Sequence, residues 1–316
     1  MMMRLELEYE GAEVTRVLSE QLVRVGITER FNEQLSEARL VFEDSEGRWR
    51  RSWFPKAEER LRLKLGNGEQ VRDFGLYRVH EVNYTGDRSG ERIEIVAVSG
   101  TERLYEKRWV SYRQQPLKAV VEAVAGRHGL RVVGEIRGEV TFEAQRDESD
   151  LAFLHRLAKR YGYAMKLEGS ELVFAPRGQI DDSPVVARIR RGDVKSYQFS
   201  DKAIGTYKRC VVKGFNAKTR QVLEGTAGSG EPVLYAVESG IDTTSEATER
   251  AREMLKETNR KKTRCDLTLP GDSRLLSGMT MELIDFGVFD GKYVIEQTEH
   301  RVERSGYETS LEGVRV

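Results

Sequence analysis

Alternation of apolar and polar residues at a period of two, cut by turn residues, runs through both ends of this chain. No other feature constrains its fold as much. Leu5, Leu7 and Tyr9 fall on one side of the stretch from Arg4 to Tyr9, with Gly11 behind them. Ala38, Leu40 and Phe42 repeat the pattern and stop at Asp44-Ser45-Glu46-Gly47. Leu61, Leu63 and Leu65 do so before Gly66-Asn67-Gly68, and Phe74 to Val79 and Ile93 to Val98 follow. Successive side chains of a strand point to opposite faces, so these runs predict short strands with one buried face. Short strands separated by regular turn signals suggest a barrel or sandwich.

The period changes in the middle of the chain. Pro116 opens a helix, where its missing N–H costs nothing. Leu117, Val120, Val121 and Val124 line one face of that helix, and Gly129 ends it. Leu130 to Val133 reads as a short strand. A second helix is expected from about Ser149 to Tyr161, capped by Asp147 or Ser149 and ended by Gly162. Leu151, Leu154, Ala158 and Tyr161 stand at helical spacing, and Phe153 and Leu157 widen the stripe. A hairpin, Ala164–Leu167 and Leu172–Ala175, closes the segment.

Alternation then returns in Cys265, Leu267 and Leu269, in Met279, Met281 and Leu283, and in Tyr293 and Ile295. One long helix, about 244–261, interrupts it behind a capping box, Thr243 with Glu246. Glu246 with Arg250 and Glu257 with Lys261 are favourable four-residue pairs on that helix. The expected fold class is α+β and β-dominated. Two β-barrel domains, 1–105 and 186–316, flank a small mixed α/β domain, 106–185.

Charge narrows the function. Lys plus Arg and Asp plus Glu are 52 each in 316 residues, so the net charge is zero. A protein that coats nucleic acid or an anionic membrane carries a basic excess. A large chain near neutrality is poorly protected against association, which suits a subunit of a complex. No apolar run approaches the roughly 20 residues that span a bilayer, and the N-terminus has no signal-peptide centre. Synthesis in a cytoplasm without stable membrane insertion is the expectation.

The residues that carry chemistry are scattered. His80, His128, His155 and His300 make no metal-ligand spacing with one another or with Cys210 and Cys265, which read as buried thiols. His128 sits where it complements a helix dipole, and His155 lies on the polar side of the second helix. Gly225-Thr226-Ala227-Gly228-Ser229-Gly230 lacks the Lys-Ser/Thr of a phosphate cradle and reads as a flexible hairpin loop. No catalytic residue, metal ligand or cofactor-binding residue is singled out, so the chain reads as a non-enzyme without cofactors. Arg48-Trp49-Arg50-Arg51-Ser52-Trp53-Phe54-Pro55-Lys56 interleaves basic and aromatic residues. Such a segment suits single-stranded nucleic acid, a protein interface or a strand edge with its tryptophans in the core. Zero net charge disfavours nucleic acid and leaves Trp49, Trp53 and Phe54 as a possible partner interface or as core.

The segment Gln145-Arg146-Asp147-Glu148-Ser149-Asp150-Leu151-Ala152-Phe153-Leu154-His155-Arg156-Leu157-Ala158 resembles the signature of tail baseplate hub proteins. These form the late-control protein D family of contractile phages, and the N-terminal hub region of type VI secretion spike proteins is similar. Trp53-Phe54-Pro55-Lys56, Leu61-Arg62-Leu63 and Phe74-Gly75-Leu76-Tyr77-Arg78-Val79 resemble the family's first barrel. Leu267-Thr268-Leu269-Pro270-Gly271, Phe286-Gly287-Val288-Phe289-Asp290-Gly291-Lys292-Tyr293 and Gly306-Tyr307-Glu308-Thr309-Ser310-Leu311-Glu312 resemble the second. The resemblance marks Gln145, Ser149, Asp150, Leu151, Phe153, Leu154, Leu157, Gly162, Pro270, Gly271, Phe286, Gly287, Tyr307, Leu311 and Glu312 as structural signature residues.

The resemblance implies two tube-type barrels per subunit. It also implies a homotrimer whose six barrels form a pseudo-hexagonal ring between a hexameric tail tube and a trimeric central spike. The partners would be the tail tube protein, the spike and other baseplate proteins, in the tail baseplate of a virion or phage-derived particle. The chain stops at Val316, just after the second barrel, which implies that the spike is a separate protein. Three alternatives stay open at this level. They are the hub portion of a tail-associated cell-wall lysin, a type VI-like spike complex, and a glycan-binding module using Trp49 and Trp53.

Overall fold

A computed structural model describes residues 3–31, 35–68, 70–88, 90–100, 102–216 and 219–316. It is β-dominated, and most strands outside the middle of the chain join one thirteen-stranded sheet. In spatial order the N-terminal part of that sheet runs Met3–Tyr9, Arg60–Asn67, Gln70–Asp87, Gly90–Ser99, Glu37–Glu43, Leu22–Arg30. The alternating residues are the ones it buries. Leu63, Leu65, Ala38, Leu40 and Phe42 have no exposed surface. Side chains from all of these strands meet in one core, so the sheet curls until its ends face each other. The helix Thr15–Leu18 fills the seam between the ends. There Val14 N–H donates to the Leu7 carbonyl at 2.9 Å, and Leu7 N–H donates to Thr15 Oγ1 at 2.7 Å.

The C-terminal part of the sheet runs Val185–Arg190, Thr280–Ile284, Gly291–Glu303, Gly306–Arg315, Thr263–Pro270, Ser196–Asp201. The strands at its two ends follow each other in the chain, joined through the turn Arg191–Asp193, so this part curls too. Ile189, Leu267, Met281, Tyr293 and Leu311 fill its core. The strand Gly291–Glu303 belongs to both curls. Its first half pairs with Thr280–Ile284, and its second half pairs with Leu22–Arg30. A register shift between Ile295 and Gln297 puts a bulge at Glu296. Bulges bend a strand and re-aim its side chains.

The middle unit packs two helices, Leu117–Gly126 and Asp150–Arg160, against two small sheets. One sheet pairs Lys107–Pro116 with Glu139–Ser149, and the other joins Arg131–Val133, Tyr163–Glu168 and Glu171–Pro176. Its core also takes in Leu35 and Leu104, which ties it to the first curl.

The stretch expected to form a single second barrel holds two sheets. Arg209–Asn216, Gln221–Gly228 and Val233–Glu238 form a separate three-stranded sheet under the helix Thr244–Arg260. We call this unit the arm. Gly225, expected in a flexible loop, lies inside the second of these strands. A Cβ there would come within 2.1 Å of the Ala247 carbonyl carbon, so glycine lets the helix sit directly on the sheet. Thr243 and Glu246 form the expected capping box. Arg250 turns away from Glu246 to Glu238, at 3.1 Å, because Glu246 is engaged by the N–H groups of Asp242 and Thr243. Cys210 and Cys265 are buried free thiols. Among the described residues no helix is long and apolar enough to cross a membrane.

Candidate functional site

The signature segment enters on a strand and leaves on a helix. Between Arg146 and Glu148 the ladder to Lys107–Pro116 shifts register, and Asp147 takes a positive φ of 50°. Asp147 is therefore the bulge residue and not the cap. Ser149 is the cap, with Oγ accepting from Ala152 N–H at 3.2 Å. The turn puts Asp150 into the first helical turn, where a negative charge complements the helix dipole.

Asp150 has no exposed surface. Its carboxylate takes Arg127 Nη1 at 2.8 Å, His128 Nε2 at 2.8 Å, Gln145 Nε2 at 2.8 Å and Arg108 Nε at 3.2 Å. These groups come from the C-terminal end of the preceding helix and from both strands of the adjoining sheet. Burial would raise the Asp150 carboxyl. The Gln145 amide, the His128 ring and the Arg127 guanidinium outweigh it and hold the group below the usual carboxylate range. Phe153, Leu154 and Leu157 follow Asp150 on the same face of the helix and, with Leu151, enter the unit's core. Hydropathy located that apolar stripe but gave no hint that His128 and Asp150 pair. Gly162 ends the helix at φ 72°, with its carbonyl accepting from Arg177 N–H at 2.9 Å.

Three further polar junctions lie in and around the middle unit. Glu143, 2 % exposed, takes Arg156 at 2.7 Å and Arg160 at 3.0 Å. Lys166 donates to Glu29 of the first curl at 2.9 Å and to the Ser277 carbonyl of the second at 3.3 Å. Glu296, on the bulge where the shared strand changes partners, takes Arg260 at 3.1 Å and lies 3.7 Å from Arg177. None of these residues stood out in the sequence, because each is a common charged residue whose partner is remote in the chain.

The signature residues of the second curl meet motifs of the first. Gly271 N–H donates to the Tyr307 carbonyl at 2.9 Å, and its own carbonyl accepts from Asn67 Nδ2 at 2.6 Å. A Cβ on Gly271 would lie 2.1 Å from the Tyr307 ring. The Tyr307 hydroxyl is 2.8 Å from His300 Nδ1, and the His300 ring packs edge-on to Phe74 at 4.9 Å. Burial pushes the His300 pKa down to about 4. Pro270 ends its strand beside this contact, and Leu311 is core. Glu312 pairs with Arg264 at 2.6 Å. Phe286 stands apart from that junction with Tyr197 and Phe199, and Gly287 follows it at φ 68°.

The aromatic segment of the first curl divides. Trp49 is 5 % exposed, stacks on Phe42 at 4.7 Å and donates from Nε1 to Gln21 at 2.9 Å. It is core, which removes it from the surface open to a partner. Trp53 is half-buried under Arg48, and Phe54 is exposed.

Among the described residues no group of three His, Cys, Asp or Glu side chains is placed to hold a metal ion. The carboxylates of these junctions face cations of the same chain.

The sequence model of the phage tail baseplate hub (GPD) family matches residues 61–306. No curated protein matches the chain by sequence. Among solved structures, the chain is similar to a 43 kDa tail protein of prophage MuSo2 from Shewanella oneidensis. The TM-score is 0.78 at 15% identity, over 99% of this chain and 98% of that one. It is similar to a tail protein from Neisseria meningitidis MC58 at TM-score 0.77 and 11% identity, over 100% and 97% of the two chains. An E. coli component of the type VI secretion system matches at TM-score 0.60 and 12% identity, over 100% of this chain and 77% of that one. At these identities the likeness is one of fold.

Proposed function

The chain belongs to the phage tail baseplate hub family, and from that premise we propose that it is a non-catalytic hub subunit joining a tail tube to a central spike. The observation that carries this reading is the strand Gly291–Glu303, which pairs with both curls and makes them parts of one continuous sheet. Two barrel-like curls held at a fixed angle in each chain let three chains present six related surfaces, which adapts a six-fold tube to a three-fold spike. The subunit acts as a homotrimer in the baseplate of a phage tail or a related injection particle. Its partners are the tube protein, the central spike protein and neighbouring baseplate proteins. The junctions at Lys166, Glu296 and His300 keep that angle by tying the middle unit and the two curls together.

Electron microscopy of the chain mixed with the tube and spike proteins of the same particle tests this. The expected image is a six-lobed ring seated between tube and spike. A chain that binds neither protein, or that binds them as a single copy, contradicts the reading.

A further inference from the structure

The fourth apolar core stands alone. The first curl shares core residues with the middle unit through Leu35 and Leu104, and with the second curl through Val302 and Tyr307. The core of the arm, built on Cys210, Val212, Ile241, Ala247 and Ala251, takes in no described residue from outside Arg209–Arg260. The chain leaves and re-enters the second curl at one neck, where Lys202 N–H donates to the Lys262 carbonyl at 2.9 Å.

Two polar clasps and the Arg177–Glu257 ion pair at 3.7 Å close the boundary beyond the neck. At the hinge end, Arg260 meets Asp181 at 2.8 Å and Glu296 at 3.1 Å. At the far end, Arg250 Nη1 donates to the Arg160 carbonyl at 2.6 Å, and Arg160 Nη2 donates to the Ser239 carbonyl at 2.5 Å. An open cleft also separates the arm from the middle unit, with Tyr161 and Arg137 on one side and Ile241 and Glu249 on the other. A polar, cleft-bearing boundary beside a single neck is the arrangement in which rigid units move relative to each other.

The geometry points to a hinged arm: residues 209–260 swing as a folded unit about the Lys202–Lys262 neck, and the Arg260 and Arg160–Arg250 clasps hold the arm closed. The motion opens the cleft and carries the exposed Phe215, Tyr235 and Val237 of the outer sheet face with it.

Spin labels on the full chain read the motion directly. Lys159→Cys on the signature helix and Lys256→Cys on the arm are both exposed, and the native thiols are buried. The closed arm gives one distance. Adding Arg250→Gln and Arg260→Gln introduces a second, longer distance while the circular dichroism stays unchanged. A single unchanged distance in that variant overturns the proposal. Should the variant fail to fold, native-state hydrogen exchange of the unaltered chain decides. The neck amides of Lys202 and Tyr207 exchange on the order of tenfold faster than those inside the arm sheet. Equal protection at the neck and inside the arm overturns the hinge.

Discussion

His128 presents Nε2 to the Asp150 carboxylate at 2.8 Å, and neither side chain reaches solvent. The contact joins the end of one helix to the start of the next, with Arg108, Arg127 and Gln145 completing the set. Removing one partner of a buried ion pair leaves the others uncompensated and costs about 3–5 kcal/mol. Asp150→Ala is expected to lose that much stability in urea unfolding, and Asp150→Asn, which keeps the shape, to lose less. An Asp150→Ala loss under about 1 kcal/mol, the level of an exposed pair, contradicts a structural role for this cluster.

Lys166 and Glu29 tie the middle unit to the first curl at 2.9 Å, with both side chains buried. Lys166→Met alone is expected to destabilise by about 3–5 kcal/mol, because Glu29 is left buried without its partner. Lys166→Met with Glu29→Leu is expected to recover most of the loss, since an apolar pair of similar volume carries no desolvation cost. A double-mutant cycle measures the coupling, and strict additivity of the two changes contradicts the pairing.

His300 gives the chain a dependence on acid. Its pKa falls from 6.5 to about 4 on burial, so the unfolded chain binds this proton first. A depressed folded value means that the contribution is fully present above pH 6.5 and is lost as the pH falls toward 4. The whole effect is about 3 kcal/mol at 1.36 kcal/mol per pH unit. His300→Phe is expected to flatten the stability profile across that window. A slope unchanged by the substitution contradicts the assignment.

Gly271 is a glycine because the Tyr307 ring occupies the space of a side chain. Gly271→Ala is expected to push Tyr307 off His300 and cost about 1–3 kcal/mol by overpacking. Thermal unfolding checks the loss, and full wild-type stability contradicts the close approach.

The sequence showed the layers better than the joints. Alternation at Leu61, Leu63 and Leu65 and at Ala38, Leu40 and Phe42 located strands whose buried faces are those residues. Caps at Ser149 and at Thr243 with Glu246 were legible because their partners lie three residues away. The strand Leu22–Arg30 was missed, since Arg24, Gly26 and Arg30 dilute its pattern. No local signal could reveal that Gly291–Glu303 serves two curls, or that Arg209–Glu238 leaves the barrel for a sheet of its own, because pairing is a long-range choice. Glu143 and Lys166, both buried, were invisible for a related reason. Hydropathy places a charged residue at the surface, and only its distant counter-charge allows burial.

The central claim is that this chain fixes geometry as one third of a ring. Light scattering of the purified chain during size-exclusion chromatography tests it most directly. The account predicts a particle of about three times the 36.1 kDa chain mass. A stable, monodisperse particle of one chain mass at every concentration and salt tested would contradict it.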